Sequence, residues 1–289
     1  MKVGVCFTKR TFAGKAVLNA FFEGVKISGD KAIKIDSYSE YLKNKDCDIY
    51  VMFGWFNPNN ISISEQKCMR RLIYSNAKSR NKKVIIIDTG FYPSKGYHSI
   101  GIDGLKNDAQ YFTENCDSSR LLNKPKDYRK KGAHVLIFGQ NRFGVSCYEI
   151  DIFKWHLKIC KKVHAITNRH ILFKKHPRAN FNQLNSAFPD YVNVVDKVPS
   201  LTCLQNCWVA IGYTTNALCE ALFEGIPIIT PSKRCICYDI ANHAIENLEK
   251  PELFSMDQRL QFFNNLSYKQ WTNEETAKGL PWQRLRQYI

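Results

Sequence analysis

The sequence predicts an α/β protein built from two doubly wound domains facing a cleft, and three observations carry that prediction. Runs of buried-strand character alternate with helical segments twice along the 289 residues, which implies mainly parallel sheets with helices on both faces. A basic stretch containing a proline and a glycine, NKPKDYRKKGA (123–133), separates the two alternations. Finally, WVAIGYTTNALCEALFEGIPIITP (208–231) reads as buried strand, polar turn, short helix, glycine stop and second buried strand, a complete βαβ unit. A hydrophobic content of 44% is enough for two ordinary cores and excludes a disordered chain.

In chain order, MKVGVCF opens as a strand, and TFAGKAVLNAFFEGVKISG follows as a helix ending near Gly29. KAIKIDS, CDIYVMFGW and KVIIIDTGFYP read as further strands. SKGYHSIGIDGLKNDAQYF (94–112), rich in glycine and polar residues, reads as a long loop ending in a short helix; such loops often carry function. After the linker come HVLIFGQ (strand), YEIDIFKWHLKICKKVHAIT (helix), HILFKKHP and YVNVVD (strands), SLTCLQNC (short helix) and the βαβ unit. The tail from Ser255 reads as two helices, the last packing back on the first domain. No internal sequence repeat is visible. The expected domains are residues 1–127, 128–265 and a returning segment, 266–289.

A formal charge of +16 exceeds what solubility requires and points to a polyanionic partner: nucleic acid first, then an anionic membrane surface or glycan. Part of the excess is clustered in QKCMRRLIYSNAKSRNKK (66–83), which has no acid. The eleven cysteines are scattered through apolar contexts with no disulfide framework or zinc-ligand spacing. With no leader and no transmembrane run, the expectation is reduced thiols in a cytoplasmic protein.

The segment TTNALCEALFEGIPII supplies the chemistry. Thr214, Thr215 and Asn216 offer caps to the first helical turn, whose unpaired N–H groups also suit a phosphate. Glu220 shares a helix face with Asn216 and lies among apolar neighbours, where a carboxylate is costly unless something hydrogen-bonds to it. The order of threonines, Glu-Ala-Leu and Gly-x-Pro before a buried strand resembles the donor-binding segment of GT-B glycosyltransferases. That resemblance implies two Rossmann-like domains, a nucleotide sugar in the C-terminal domain with Glu220 on its ribose, and the acceptor in the N-terminal domain. LFKKHPR resembles the His-Pro segment of capsule-type and sialyl-type members, which implies a place for His176 near the donor phosphate; on an extended strand Lys174 shares its face, so both are donor-binding candidates. LIFGQNRFG brings Gln140, Asn141 and Arg142 to a strand end, where they can approach a diphosphate. A UDP-sugar is the expected donor, with no obligatory metal, because helix dipole and basic side chains can neutralise the leaving diphosphate. Asp46-x-Asp48 precedes its strand, at the wrong end for a metal site, and there is no phosphate-binding GxxxxGK[ST] or GxGxxG loop.

Glycosyl transfer to a hydroxyl needs a base near the acceptor. The candidates are Asp103, ranked first for its glycine-rich loop, His98, and Asp88 at the end of KVIIID. Inverting and retaining stereochemistry stay open, as does oligomeric state. Trp55, Phe56, Phe91, Tyr92 and Tyr97 offer aromatic faces for a base rotated out of a duplex, with Lys95, Arg70 and Arg71 for phosphates. In size, charge and fold the chain resembles bacteriophage glycosyltransferases that modify hydroxymethylated pyrimidines, implying double-stranded DNA as acceptor in the host cytoplasm. The alternatives are a capsule or lipopolysaccharide glycosyltransferase at the cytoplasmic membrane face, and a non-catalytic DNA-binding protein on the same scaffold.

Overall fold

The structure, a computed structural model, describes residues 1–7, 12–56, 65–141, 144–177 and 187–289. They divide into two compact units, Met1–Cys116 with Asn265–Ile289, and Asp117–Asn264. The elements are β1 (Lys2–Cys6), α1 (Phe12–Ile27), β2 (Lys31–Ile35), α2 (Tyr38–Lys43), β3 (Ile49–Phe53), α3 (Glu65–Lys78), β4 (Val84–Thr89), β5 (Tyr97–Ile102) and β6 (His134–Phe138). They continue with α4 (Ile152–Ile166), β7 (His170–Lys174), β8 (Val192–Val195), α5 (Ser200–Cys203), β9 (Cys207–Ile211), α6 (Ala217–Phe223), β10 (Ile228–Ile229), α7 (Met256–Ser267), β11 (Gln270–Thr272), α8 (Asn273–Ala277) and α9 (Leu280–Leu285).

In unit 1 the sheet order is β11-β5-β4-β3-β1-β2, with β1 to β4 parallel. Alternate residues, Val3 and Val5, Ile49 and Val51, Ile85 and Ile87, Ile100 and Ile102, enter one core with Val17, Leu18, Phe21 and Val25 of α1. Period two on the strands thus meets the helical stripe, and each such side chain contributes about 1.5–3 kcal/mol on full burial. Gly24 lets α8 come close: a Cβ there would lie 2.1 Å from the Thr276 carbonyl oxygen. The end of the chain is pinned by Trp282, edge-on to Phe21 and donating from Nε1 to Asp30 at 2.8 Å.

Two elements differ from expectation. Tyr97–Ile102 is not loop but a strand antiparallel to β4, pairing Ile85 with Ile102 and Thr89 with His98. Its glycine is required by packing, since a Cβ on Gly101 would meet the Tyr111 ring at 2.6 Å. The tail is not helical throughout either: Gln270–Thr272 adds β11 antiparallel to β5, and Thr272 then caps α8 in a reciprocal capping box with Glu275.

Unit 2 holds a wholly parallel sheet of order β10-β9-β6-β7-β8. Val135, Ile137, Ile171, Phe173, Val209 and Ile211 pack with Ile159, Cys160 and Val163 of α4. The chain runs from β6 outward to β8, then crosses back to β9 on the other side of β6. The strand order therefore reverses between β6 and β9, and the crevice at their carboxyl ends is the place where such sheets take ligands. Gly225 ends α6 at φ +73°, and a Cβ there would lie 2.0 Å from the Asp127 carbonyl oxygen.

Candidate functional site

Unit 2 presents a built cluster at that crevice. Gln140, just past β6, and Thr214, just past β9, are buried and exchange two hydrogen bonds: Nε2 to Thr214 Oγ1 at 2.8 Å, and Thr214 N–H to Gln140 Oε1 at 2.7 Å. Thr214 also lies 3.1 Å from the Ser146 hydroxyl. His156 of α4, fully buried, accepts the Gln140 backbone N–H at Nε2. Burial lowers its pKa to about 3, so the ring is neutral with its proton on Nδ1. These contacts tie together the two loops that flank the switch point.

Beside this floor stand a cation and an anion. Lys174, the last residue of β7, is 7% exposed and forms no ion pair among the described residues. Glu220 of α6 is half-buried; desolvation raises its pKa, with Glu224 adding to the rise, while a hydrogen bond to the Ser200 side chain and the charge of Lys174 oppose it. Ser200 and Lys174 thus both favour the charged form of the carboxylate, against its burial. Thr215 accepts from Ala217 N–H, whereas Asn216 makes no side-chain cap bond to α6, contrary to the capping expected of it. At seven residues α6 is also too short to act as an anion site alone. Asn141 and half-buried His176 lie at the carboxyl ends of β6 and β7, so they join Lys174, Thr214 and Glu220 at one edge; Arg142 lies outside the described residues.

In unit 1 the carboxyl ends of the parallel strands carry Phe53, Asp88 and Thr89, and the antiparallel β5 brings His98 to the same edge. His98 pairs in register with Thr89 on one side and Trp271 on the other, and its ring stands edge-on to Phe53 at 6.1 Å. Its Nδ1 is buried without a hydrogen-bond partner among the described residues. Burial lowers its pKa below 6.5, opposed by a hydrogen bond to the Asp88 backbone and by the Asp88 charge. The result is a neutral imidazole beside a carboxylate, with its unpartnered Nδ1 enclosed by the protein.

Asp103 is a correction. Because β5 runs antiparallel, Asp103 lies where the parallel strands begin, opposite the His98 edge. There it accepts Val84 N–H at 2.8 Å and pairs with Lys78 at 2.6 Å. It is a turn carboxylate with φ +62°, held by its own neighbours. Asp46 and Asp48 share that edge, occupied by the Lys2 ammonium and backbone N–H.

The aromatic and basic candidates divide. Phe56 is 6% exposed, stacked on Trp55 and edge-on to Tyr74, and Phe91 is buried against Tyr111, so neither offers a free face. Arg70 is 3% exposed and donates to the Phe53 carbonyl at 3.1 Å; it braces the β3 end and is not a surface cation. Arg71 and Lys95 are exposed, and Trp55, Tyr92 and Tyr97 partly so. Sequence reasoning missed His156, Ser146 and Ser200. His156 carried a signal, a histidine on the apolar stripe Ile152, Ile159, Val163 of its helix; the two serines carried none.

Among the described residues no group of His, Cys, Asp or Glu is placed to hold a metal, and no helix is long and apolar enough to cross a membrane. No family model matches the chain, and no curated protein matches it in sequence. Among solved structures it is similar to the beta Kdo 2,4 transferase of KpsC from Thermosulfurimonas dismutans, with TM-score 0.60 and 11% identity over 92% of this chain and 89% of that one. It is also similar to the beta Kdo 2,7 transferase of KpsC from the same organism, with TM-score 0.53 and 14% identity over 98% and 99%. At such identities the likeness is one of fold. Two α/β units on mainly parallel sheets, matched over nearly their whole length, give this chain a fold of the GT-B type.

Proposed function

We propose that the protein is a glycosyltransferase that moves a sugar from a nucleotide-sugar donor to a hydroxyl acceptor. The observation that carries this reading is the gathering of Lys174 and Glu220 with the bonded Gln140–Thr214 floor at the carboxyl edge of the unit 2 sheet. Lys174 supplies positive charge for the leaving phosphate, and Glu220 accepts the ribose hydroxyls. His98 of unit 1 takes the acceptor proton. The acceptor oxygen then bonds to the anomeric carbon, and the bond from that carbon to the phosphate oxygen breaks with its electron pair on the phosphate. Lys174 and the polar loop ends carry the neutralisation in this scheme, and UDP-sugars are the first donors to test.

For the acceptor, a saccharide hydroxyl is favoured. Two observations support it: both matched structures are Kdo transferases, and Phe56, Phe91 and Arg70 are buried where a flipped base or a phosphate would need them exposed. The hydroxymethyl group of a pyrimidine in DNA is the second reading, supported by the charge of +16. Incubation with a panel of nucleotide sugars, and with oligosaccharide or hydroxymethylcytosine DNA acceptors, followed by mass spectrometry, tests both. A sugar-mass increment on the oligosaccharide is expected. An increment on DNA alone would reverse the choice of acceptor, and no nucleotide release or transfer with any donor would overturn the enzyme reading.

A further inference from the structure

The loop between β4 and β5 follows Asp88 and Thr89 directly and returns into His98. Pro93, Ser94, Lys95 and Gly96 at its tip are exposed. Its base is held from an unexpected direction. Gln270, on the strand contributed by the end of the chain, is 2% exposed; its Oε1 accepts Phe91 N–H at 2.6 Å and Tyr92 N–H at 3.3 Å, and its Nε2 donates to the Tyr92 carbonyl at 2.7 Å. A side-chain amide thus acts as a neighbouring strand would, meeting two donors and one acceptor of the backbone at Phe91 and Tyr92.

Register makes this arrangement specific. β11 sets Gln270 opposite Ser99 and Trp271 opposite His98, and Ile100 N–H reaches the Lys269 carbonyl at 3.1 Å. A slip of one residue would exchange the faces of Gln270 and Trp271, removing the amide from the loop and the indole from the side of His98. The same three-residue strand therefore walls the base and grips the loop beside it.

We propose that Gln270 is a positioning residue, holding the 90–97 loop of unit 1 in the shape that receives the acceptor. The proposal rests on the reading of the His98 edge as the acceptor side. Gln270 touches no reacting atom; it acts through the backbone of Phe91 and Tyr92, which sets the placement of Tyr92, Lys95 and Tyr97.

Hydrogen exchange of the purified full chain, read together with steady-state kinetics, tests it. In Gln270→Ala, amide protection is expected to fall at Phe91 and Tyr92 while persisting at Ile100 and Ile102. The acceptor KM should rise about tenfold, the scale of one or two lost hydrogen bonds, with the donor KM within about twofold of wild type. Gln270→Glu keeps an acceptor oxygen for both N–H groups but sets its second oxygen against the Tyr92 carbonyl, so their protection should fall between wild type and Gln270→Ala; persisting protection at Ile100 and Ile102 separates loss of grip from loss of fold. Unchanged protection in Gln270→Ala, or a loop that loosens with no change in acceptor KM, would overturn the proposal. If the wild-type chain transfers no sugar, the functional reading fails on that result alone, and the exchange data still decide whether Gln270 holds the loop.

Discussion

The carboxyl edges of the two sheets are finished differently. In unit 2 the side chains at the switch point bond one another: Gln140 bonds Thr214 twice, Thr214 meets Ser146, and His156 receives the Gln140 N–H, while His156 Nδ1 is buried with no partner among the described residues. In unit 1 the edge is lined by rings, and the nitrogen that matters, Nδ1 of His98, has no partner among the described residues. A cross-bonded set of side chains suits binding, because it needs little reordering when a ligand arrives. In unit 1 burial keeps the His98 imidazole neutral, the protonation state a base needs. On the proposed function, unit 2 holds the donor and unit 1 supplies the base.

The sharpest way to break that contrast is at His98. His98→Gln should lower kcat about 100- to 10,000-fold with donor affinity nearly unchanged. Since the folded-state pKa lies below 6.5, wild-type kcat/KM should be flat at neutral pH and fall as pH drops through that lower value, and the variant should lose this limb. A wild-type acid limb that persists unchanged in the variant would take the base role from His98.

Lys174→Met tests the other edge. It keeps most of the buried stem and removes the charge, so kcat/KM should fall about 100- to 1,000-fold. Retained nucleotide affinity together with retained turnover would show that unit 2 does not use this lysine.

A third experiment asks whether the unit 2 network depends on a neutral histidine. His156 has a folded-state pKa of about 3 against 6.5 for an ordinary imidazole. Between those values the unfolded chain binds a proton that the folded chain refuses, so stability falls with falling pH by about 1.4 kcal/mol per unit. His156→Gln retains an acceptor and should flatten that acid slope in thermal melts; an unaltered slope would place the titration elsewhere.

The smallest effect is expected at Asp103. Asp103→Asn keeps an acceptor for Val84 N–H and loses the Lys78 pair, costing about 0.5–1 kcal/mol with activity unchanged. A loss of turnover at wild-type stability would return Asp103 to the chemistry and undo the division of labour drawn above.

Much of the unit 2 edge was legible in the sequence because it is local. Thr214, Thr215 and Glu220 lie within one βαβ unit, and Lys174 and Gln140 end strands whose apolar runs announce them. The unit 1 edge was harder to read. HSIGI looks like loop because Gly101 breaks the apolar pattern, yet that glycine serves the packing of Tyr111. Reading a loop there removed the one fact that separates the candidates: an antiparallel strand sends His98 and Asp103 to opposite edges of the sheet. Phe56 and Arg70 fail similarly, since neither composition nor charge says which ring or guanidinium is enclosed.

By itself the sequence determined two α/β units on mainly parallel sheets, the switch-point loops and the carboxylate of α6, because hydrophobic periodicity, glycine stops and capping residues act over a few neighbours. Only the tertiary structure decided that His98 and Asp103 stand at opposite edges of the sheet, and that Gln270, 178 residues after Tyr92, closes its loop. Those outcomes depend on strand direction and register between distant segments, and no local pattern encodes them.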